Sequence, residues 1–178
     1  MSKYQYEEPG QDVRGLPGIP TEDFLYERRS KVEHDRLRQA FSKGVKREFR
    51  RYLAEECRDE LQAAGFSDGE IETFASGKSV KGFNIHHVHP LDDSGTNDFS
   101  NLVLMDMWSH SQLHRTLDPL LVNRRSAEVP LPVPPGHVYV HPSIARERLD
   151  ALGMTLETVV PSDGAPAEED AMGMGYSR

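Results

Sequence analysis

Five apolar residues at four-residue spacing, Val45, Phe49, Leu53, Cys57 and Leu61, constrain most what this chain can fold into. Residues four apart stack on one face of a helix, so the run predicts an amphipathic helix whose apolar stripe needs a partner layer. Tyr52 and Ala64 lie beside the stripe, while Lys46, Arg47, Arg50, Arg51 and Arg58 fall mostly off it. Gly65 occupies the favoured position just past a helix end. Ser67 with Glu70 has capping-box spacing for a shorter helix through Phe74, ended by Gly77. Thr21-Glu22-Asp23 reads as the start of another short helix. Residues 21–78 are therefore expected to form a helical, basic region.

The character changes beyond that region. Val80 to Val88 favours an extended strand that Pro90 stops. Asp92-Asp93-Ser94-Gly95-Thr96-Asn97-Asp98 has loop composition, and Leu102 to Met105 reads as a second short strand. Ser109 and Gln112 have the spacing of a helix start, which places a helix from near His110 to Leu117, before Asp118-Pro119. Residues 79–120 thus read strand, loop, strand, helix. Residues 1–20 read as a flexible leader, and 121–158 as a Pro-rich extension with a short helix over Pro142 to Leu152. Residues 159–178 read as a disordered acidic tail. The expected fold class is α+β: a helical N-terminal half packed on a small β-β-α core, with disordered termini.

Composition removes several alternatives. A length of 178 residues suits one domain with extensions. No stretch approaches the ~18 apolar residues of a membrane span, and the first residues lack the apolar segment of a secretory signal. Cys57 is the single cysteine, which rules out an intrachain disulfide and a cysteine-based zinc knuckle. It reads as a small core residue. The net charge of −8 argues against a polyanionic partner, but its distribution argues the other way. Glu27 to Arg51 holds ten Lys or Arg against four Asp or Glu, and the tail holds the compensating acids.

The histidines are concentrated. Seven of the eight lie between 86 and 141, and five of them between 86 and 114. His110 and His114 are four apart on the expected helix, so both imidazoles project from one face. His86-His87-Val88-His89 places three imidazoles on or near a strand, where packing gives little reason for them. Histidine is the commonest metal ligand and the usual general base near neutral pH. A His-rich strand and a two-His helix joined by a loop can converge on one ion. The strand's alternation leaves open which of the three strand histidines faces it.

These residues resemble the HNH, or ββα-metal, nucleases. The likeness rests on Ile85-His86-His87-Val88-His89-Pro90, then Asn101-Leu102-Val103-Leu104, then His110-x3-His114. The pattern is most similar to that of colicin and pyocin DNase toxins, which also lack the CxxC pairs of many HNH proteins. It covers about 80 to 118. The resemblance implies that His86, His110 and His114 bind one divalent cation and that His87 is the general base. It implies that Asn101 holds the loop and the His87 ring. A rival assignment pairs His87 with His89 as ligands and leaves His86 structural. The residues do not choose among magnesium, manganese, nickel and zinc: three imidazoles favour the later transition metals, while family members are commonly assayed with magnesium, manganese or nickel.

The implied activity is cleavage of DNA phosphodiester bonds without sequence preference. Lys81 and Arg115 could reach a phosphate, and the basic helix face, with Arg47, Arg50 and Arg51, would track the backbone. The implied role is an antibacterial toxin or effector with a cognate immunity protein as partner. Such a chain is cytoplasmic, or leaves its cell by a route independent of a signal peptide and acts in a target cell's cytoplasm. The alternatives are an intracellular phage or restriction-type HNH enzyme and a non-catalytic, metal-stabilised nucleic-acid-binding module.

Overall fold

One strand, Leu102–Asp106, is buried at every position, and the architecture is built on its two faces. The computed structural model describes Val13 and residues 15–154. The expected acidic tail and the first twelve residues of the leader lie outside them. In chain order the elements are β1 (Thr21–Glu27), α1 (Lys31–Ala40), a π-helical turn (Phe41–Val45), α2 (Lys46–Glu56), α3 (Arg58–Ala63) and α4 (Asp68–Ala75). There follow β2 (Phe83–His87), β3 (Leu102–Asp106), α5 (Met107–Leu121), β4 (Ser126–Pro132), β5 (Val138–Tyr139) and α6 (Pro142–Ala151). The fold is mixed α+β.

β2, β3 and β5 form one sheet with β3 in the centre, antiparallel to β2 and parallel to β5. Strand alternation sends Leu102 and Leu104 to one side of β3 and Val103 and Met105 to the other. The first side belongs to a core of Phe41, Phe49, Leu53, Leu61, Phe66, Phe74 and Phe83. The second belongs to a core of Tyr26, Leu113, Leu117, Val129 and Leu131. Each fully buried side chain of this size contributes about 1.5–3 kcal/mol relative to exposure.

The four-residue stripe is where it was expected, on the inner side of the helical layer. Phe49, Leu53, Cys57 and Leu61 are all buried. The helix itself is not continuous. It breaks at Cys57, whose φ of −119° leaves the helical region, and resumes as α3. The capping box of α4 is formed: the Ser67 hydroxyl accepts from the Glu70 N–H, and the Glu70 carboxylate accepts from the Ser67 N–H. Gly65 and Gly77 take φ of 85° and 78°, the left-handed geometry that favours glycine past a helix end.

Four expectations are corrected. Thr21 does not open a helix. It begins β1, which pairs antiparallel with β4 from Thr21↔Pro132 to Glu27↔Ser126. Burial of Tyr26 and pairing across more than a hundred residues outweigh the local helix-start signal. Residues 121–154, expected as a Pro-rich extension with one short helix, also supply the paired strands β4 and β5. The described part of the leader is also packed: Val13, Leu16 and Ile19 recur every third residue, turn on backbone hydrogen bonds and join the second core.

The fourth correction concerns α5, which starts at Met107 rather than near His110. Its cap is Asp106, whose Oδ1 accepts from the Ser109 N–H at 2.8 Å and whose Oδ2 accepts from the His141 N–H at 2.9 Å. A buried carboxylate at a helix N-terminus is favoured by the helix dipole. The helix also runs through Pro119 to Leu121, because Leu117 and Leu121 are buried in the second core.

Candidate metal centre

β2 ends at His87 and α5 carries two imidazoles one turn apart, so the sheet edge and the helix meet at a cluster of rings. His86 is opposite Val103 in the strand register, on the side where α5 lies. Its ring centroid is 5.3 Å from that of His110 and 5.8 Å from that of His114. One ring nitrogen from each of His86, His110 and His114 lies within 4.8 Å of the others. His86 is buried, His110 half-buried and His114 exposed. The group could hold a metal ion.

The donor chemistry fits that use. The Nε2 atoms of His110 and His114 face each other at 3.1 Å. Two nitrogens on one tetrahedral zinc at ~2.0–2.1 Å would stand roughly 3.4 Å apart. Asp118 Oδ1 accepts from His114 Nδ1 at 3.0 Å, which leaves the lone pair on Nε2. Burial, then the neighbouring His110 and His114 rings, holds His86 well below the usual imidazole range. Burial, then His114, lowers His110 to about 4. Both rings are therefore neutral near pH 7 and carry a lone pair for a cation.

His87 faces the other way. It is opposite Leu102, and its ring packs edge-on against Phe41 at 4.6 Å. Its Nε2 stands 3.0 Å from Asn97 Oδ1, within hydrogen-bond distance. Burial lowers its pKa, Arg38 lowers it further, and the Asn97 hydrogen bond opposes both. Asn101 does hold the loop: Oδ1 accepts from the His89 N–H at 2.8 Å, and Nδ2 donates to the carbonyls of His89 and Thr96 at 3.0 and 2.9 Å. Those bonds engage its oxygen and both its N–H groups, so it does not orient the His87 ring. The sequence reading missed Asn97, which does. His89 packs against Phe24 at 4.7 Å and lies outside the three-nitrogen cluster, so the His87–His89 ligand pair is not formed.

His86, His87, His110 and His114 line one pocket of about 440 Å³. Its other polar walls are Arg28, Arg38, Asp92 and Asp118. Both carboxylates are engaged by histidines, Asp118 by His114 and Asp92 by His34 at 2.8 Å. The arginines form the cationic side of the pocket, with Arg28 held by long hydrogen bonds of 3.4 Å to the Tyr26 hydroxyl and the Leu121 carbonyl. They belong to the basic run noted in the sequence, but charge density alone gave no way to pick them from it. The residues expected to contact nucleic acid, Lys81, Arg47, Arg50, Arg51 and Arg115, do not line this pocket. Arg50 instead donates to the Gly77 carbonyl and Arg47 to that of Lys43. Asp93 is a loop residue whose Oδ1 accepts weakly from the Glu27 N–H.

Fold and site together define an α+β protein with a three-histidine cluster able to take a metal ion. No family model matches the chain, and no solved structure matches it. It is similar to "Uncharacterized protein YhhZ" of Escherichia coli (strain K12), 29% identical over 129 residues, which cover 70% of this chain and 32% of that protein. The matched part is thus about a third of that relative's length. Among the described residues, no helix is long and apolar enough to cross a membrane.

Proposed function

We propose that this chain is a metal-dependent HNH-type endonuclease that hydrolyses DNA phosphodiester bonds, with His86, His110 and His114 as metal ligands and His87 as general base. The observation that carries this reading is the composition of one pocket. It joins a three-imidazole cluster, a fourth imidazole held apart from it by its own hydrogen bond, and two arginines. The order β2, β3, α5 supports it, since these elements present the histidines as a ββα-metal core would.

A divalent cation bound by the cluster would supply positive charge to a scissile phosphate and its leaving oxygen. The chain's own groups do the rest. Arg28 and Arg38 bind and orient the anionic backbone. His87, with Nε2 committed to Asn97, offers Nδ1 as the acceptor for the proton of an attacking water. Its lowered pKa keeps that lone pair available near neutral pH. The water oxygen bonds to phosphorus as the ester P–O bond breaks, and the leaving oxygen takes a proton from solvent. Asn101 fixes the loop that follows β2, and so the position of the strand end that carries the doublet.

In this reading the biological role is that of an antibacterial effector acting on DNA, restrained in its own cell by an immunity protein. The test is plasmid and RNA cleavage by the purified chain with magnesium, manganese, nickel and zinc in turn. Wild type should nick plasmid with at least one of them, and His87→Ala should not. If wild type leaves both substrates intact with every metal, the enzymatic reading fails. Toxicity on expression, relieved by a neighbouring gene product, would support the effector role.

A further inference from the structure

We propose that Asn97 is the positioning residue that sets the tautomer of His87, and that the N-terminal helical layer holds it there. An imidazole can carry its neutral hydrogen on either nitrogen, and only the other nitrogen can then accept a proton. The Asn97 side chain lies between His87 and α1. Its Nδ2 donates to the Leu37 carbonyl at 2.9 Å, and its Oδ1 stands 3.0 Å from His87 Nε2. The first bond fixes the amide orientation. A flipped amide would set Oδ1 against the Leu37 carbonyl oxygen, and neither atom has a hydrogen to give. The oxygen therefore faces His87, and because it only accepts, Nε2 carries the hydrogen and Nδ1 the lone pair.

Two further contacts come from the same layer. Leu37 lies in the last turn of α1, and the π-helical turn that follows opens with Phe41, whose ring packs on His87. π-helical turns inside α-helices are rare and recur at functional sites. Arg38, next to Leu37, lines the pocket. The helical half thus anchors Asn97 through Leu37, covers the His87 ring through Phe41 and sets a cation on the pocket wall through Arg38. Asn101 takes no part in this, since its side-chain hydrogen bonds go to the loop backbone at His89 and Thr96.

The catalytic consequence rests on the nuclease reading, while the tautomer itself does not. The experiment is long-range proton–nitrogen NMR on ¹⁵N-histidine-labelled full chain, at a pH where the ring is neutral, together with cleavage kinetics. Wild-type His87 is expected as the Nε2–H form. Asn97→Ala should give a mixture of both forms, with the signals of His86, His110 and His114 and the metal affinity unchanged. Asn97→Asp keeps an acceptor against Nε2–H while losing the bond to the Leu37 carbonyl, so it should retain the wild-type tautomer. If the alanine variant does not fold, the wild-type tautomer decides by itself, since an Nδ1–H ring contradicts the proposal. In kinetics, Asn97→Ala should lower kcat about 100-fold with KM unchanged, and Asn97→Asp should recover part of the loss. An Nδ1–H ring in wild type, an unchanged tautomer in Asn97→Ala, or an unchanged kcat in that variant would overturn the proposal. If wild type cleaves nothing, the nuclease reading fails, and the tautomer measurement still decides the role of Asn97.

Discussion

The two sides of β3 are built from different materials. One side meets the helical layer through aromatic rings: Phe41, Phe49, Phe66, Phe74 and Phe83 all belong to that core. The other side meets α5 and the β1–β4 pair mostly through aliphatic residues, with Tyr26 and Tyr139 among them. The histidine doublet straddles this division. His86 falls on the α5 side and joins the helix histidines, and His87 falls on the helical-layer side and joins Phe41 and Asn97. Adjacent residues of an extended strand face opposite ways, so a doublet at the end of an edge strand can serve two jobs at one pocket.

The sharpest way to break this comparison is to remove each half of the doublet. His86→Ala should weaken zinc or nickel binding by at least about 100-fold, above the range typical of outer-shell changes, and abolish cleavage with it. His87→Ala should leave metal affinity intact and lower cleavage by roughly 10²–10⁴-fold. Calorimetric metal titration of both variants beside the plasmid assay is the measurement. Equal losses of metal affinity would collapse the division of labour.

Stability tests come next. Phe49 is fully buried on the aromatic side and touches Tyr52, Phe99 and His137. Phe49→Ala should cost about 3–5 kcal/mol, and Leu117→Ala on the aliphatic side about 2–5 kcal/mol. Urea unfolding should show both as shifts of midpoint with unchanged slope. A near-neutral Phe49→Ala would mean that the aromatic layer is not what holds the helices to the sheet.

A smaller effect separates the pocket wall from the outer helix face. Arg28→Ala and Arg38→Ala should each raise KM for DNA about tenfold, the loss of one charge-assisted contact. Arg47→Ala and Arg50→Ala should leave it near wild type. The reverse pattern would restore the outer face of α2 as the binding surface.

The smallest effect concerns Glu70, which joins α4 to α6 through Arg148 and closes the α4 capping box. Burial raises its pKa, but hydrogen bonds from Arg148 and the Ser67 backbone outweigh this and leave it below the ordinary value of 4.5. The folded state therefore takes up this proton at lower pH than the unfolded chain does. The stabilisation is complete above the ordinary value and fades as pH falls through the folded one. Glu70→Gln should remove about 1 kcal/mol at neutral pH and flatten the acid limb of stability. An unchanged acid limb would show that the pair contributes nothing measurable.

By itself the sequence determined the features that depend on neighbours within a turn or two. The Phe49–Leu61 stripe, the Ser67–Glu70 capping box, the α6 segment and the one-face pairing of His110 with His114 are all local, set by backbone period and short hydrogen bonds. The His86, His110 and His114 set was legible because a doublet, an asparagine and an HxxxH pair at these spacings resemble a known pattern. Tertiary structure decided what depends on distant partners. β1 is a strand only because β4 lies beside it, and α5 starts at Met107 because buried Asp106 caps it and also meets the His141 N–H. Asn97 holds the His87 ring because α1, sixty residues earlier, presents the Leu37 carbonyl to it. Side-chain amides and arginines have many partners available to them, and only the packed fold selects one.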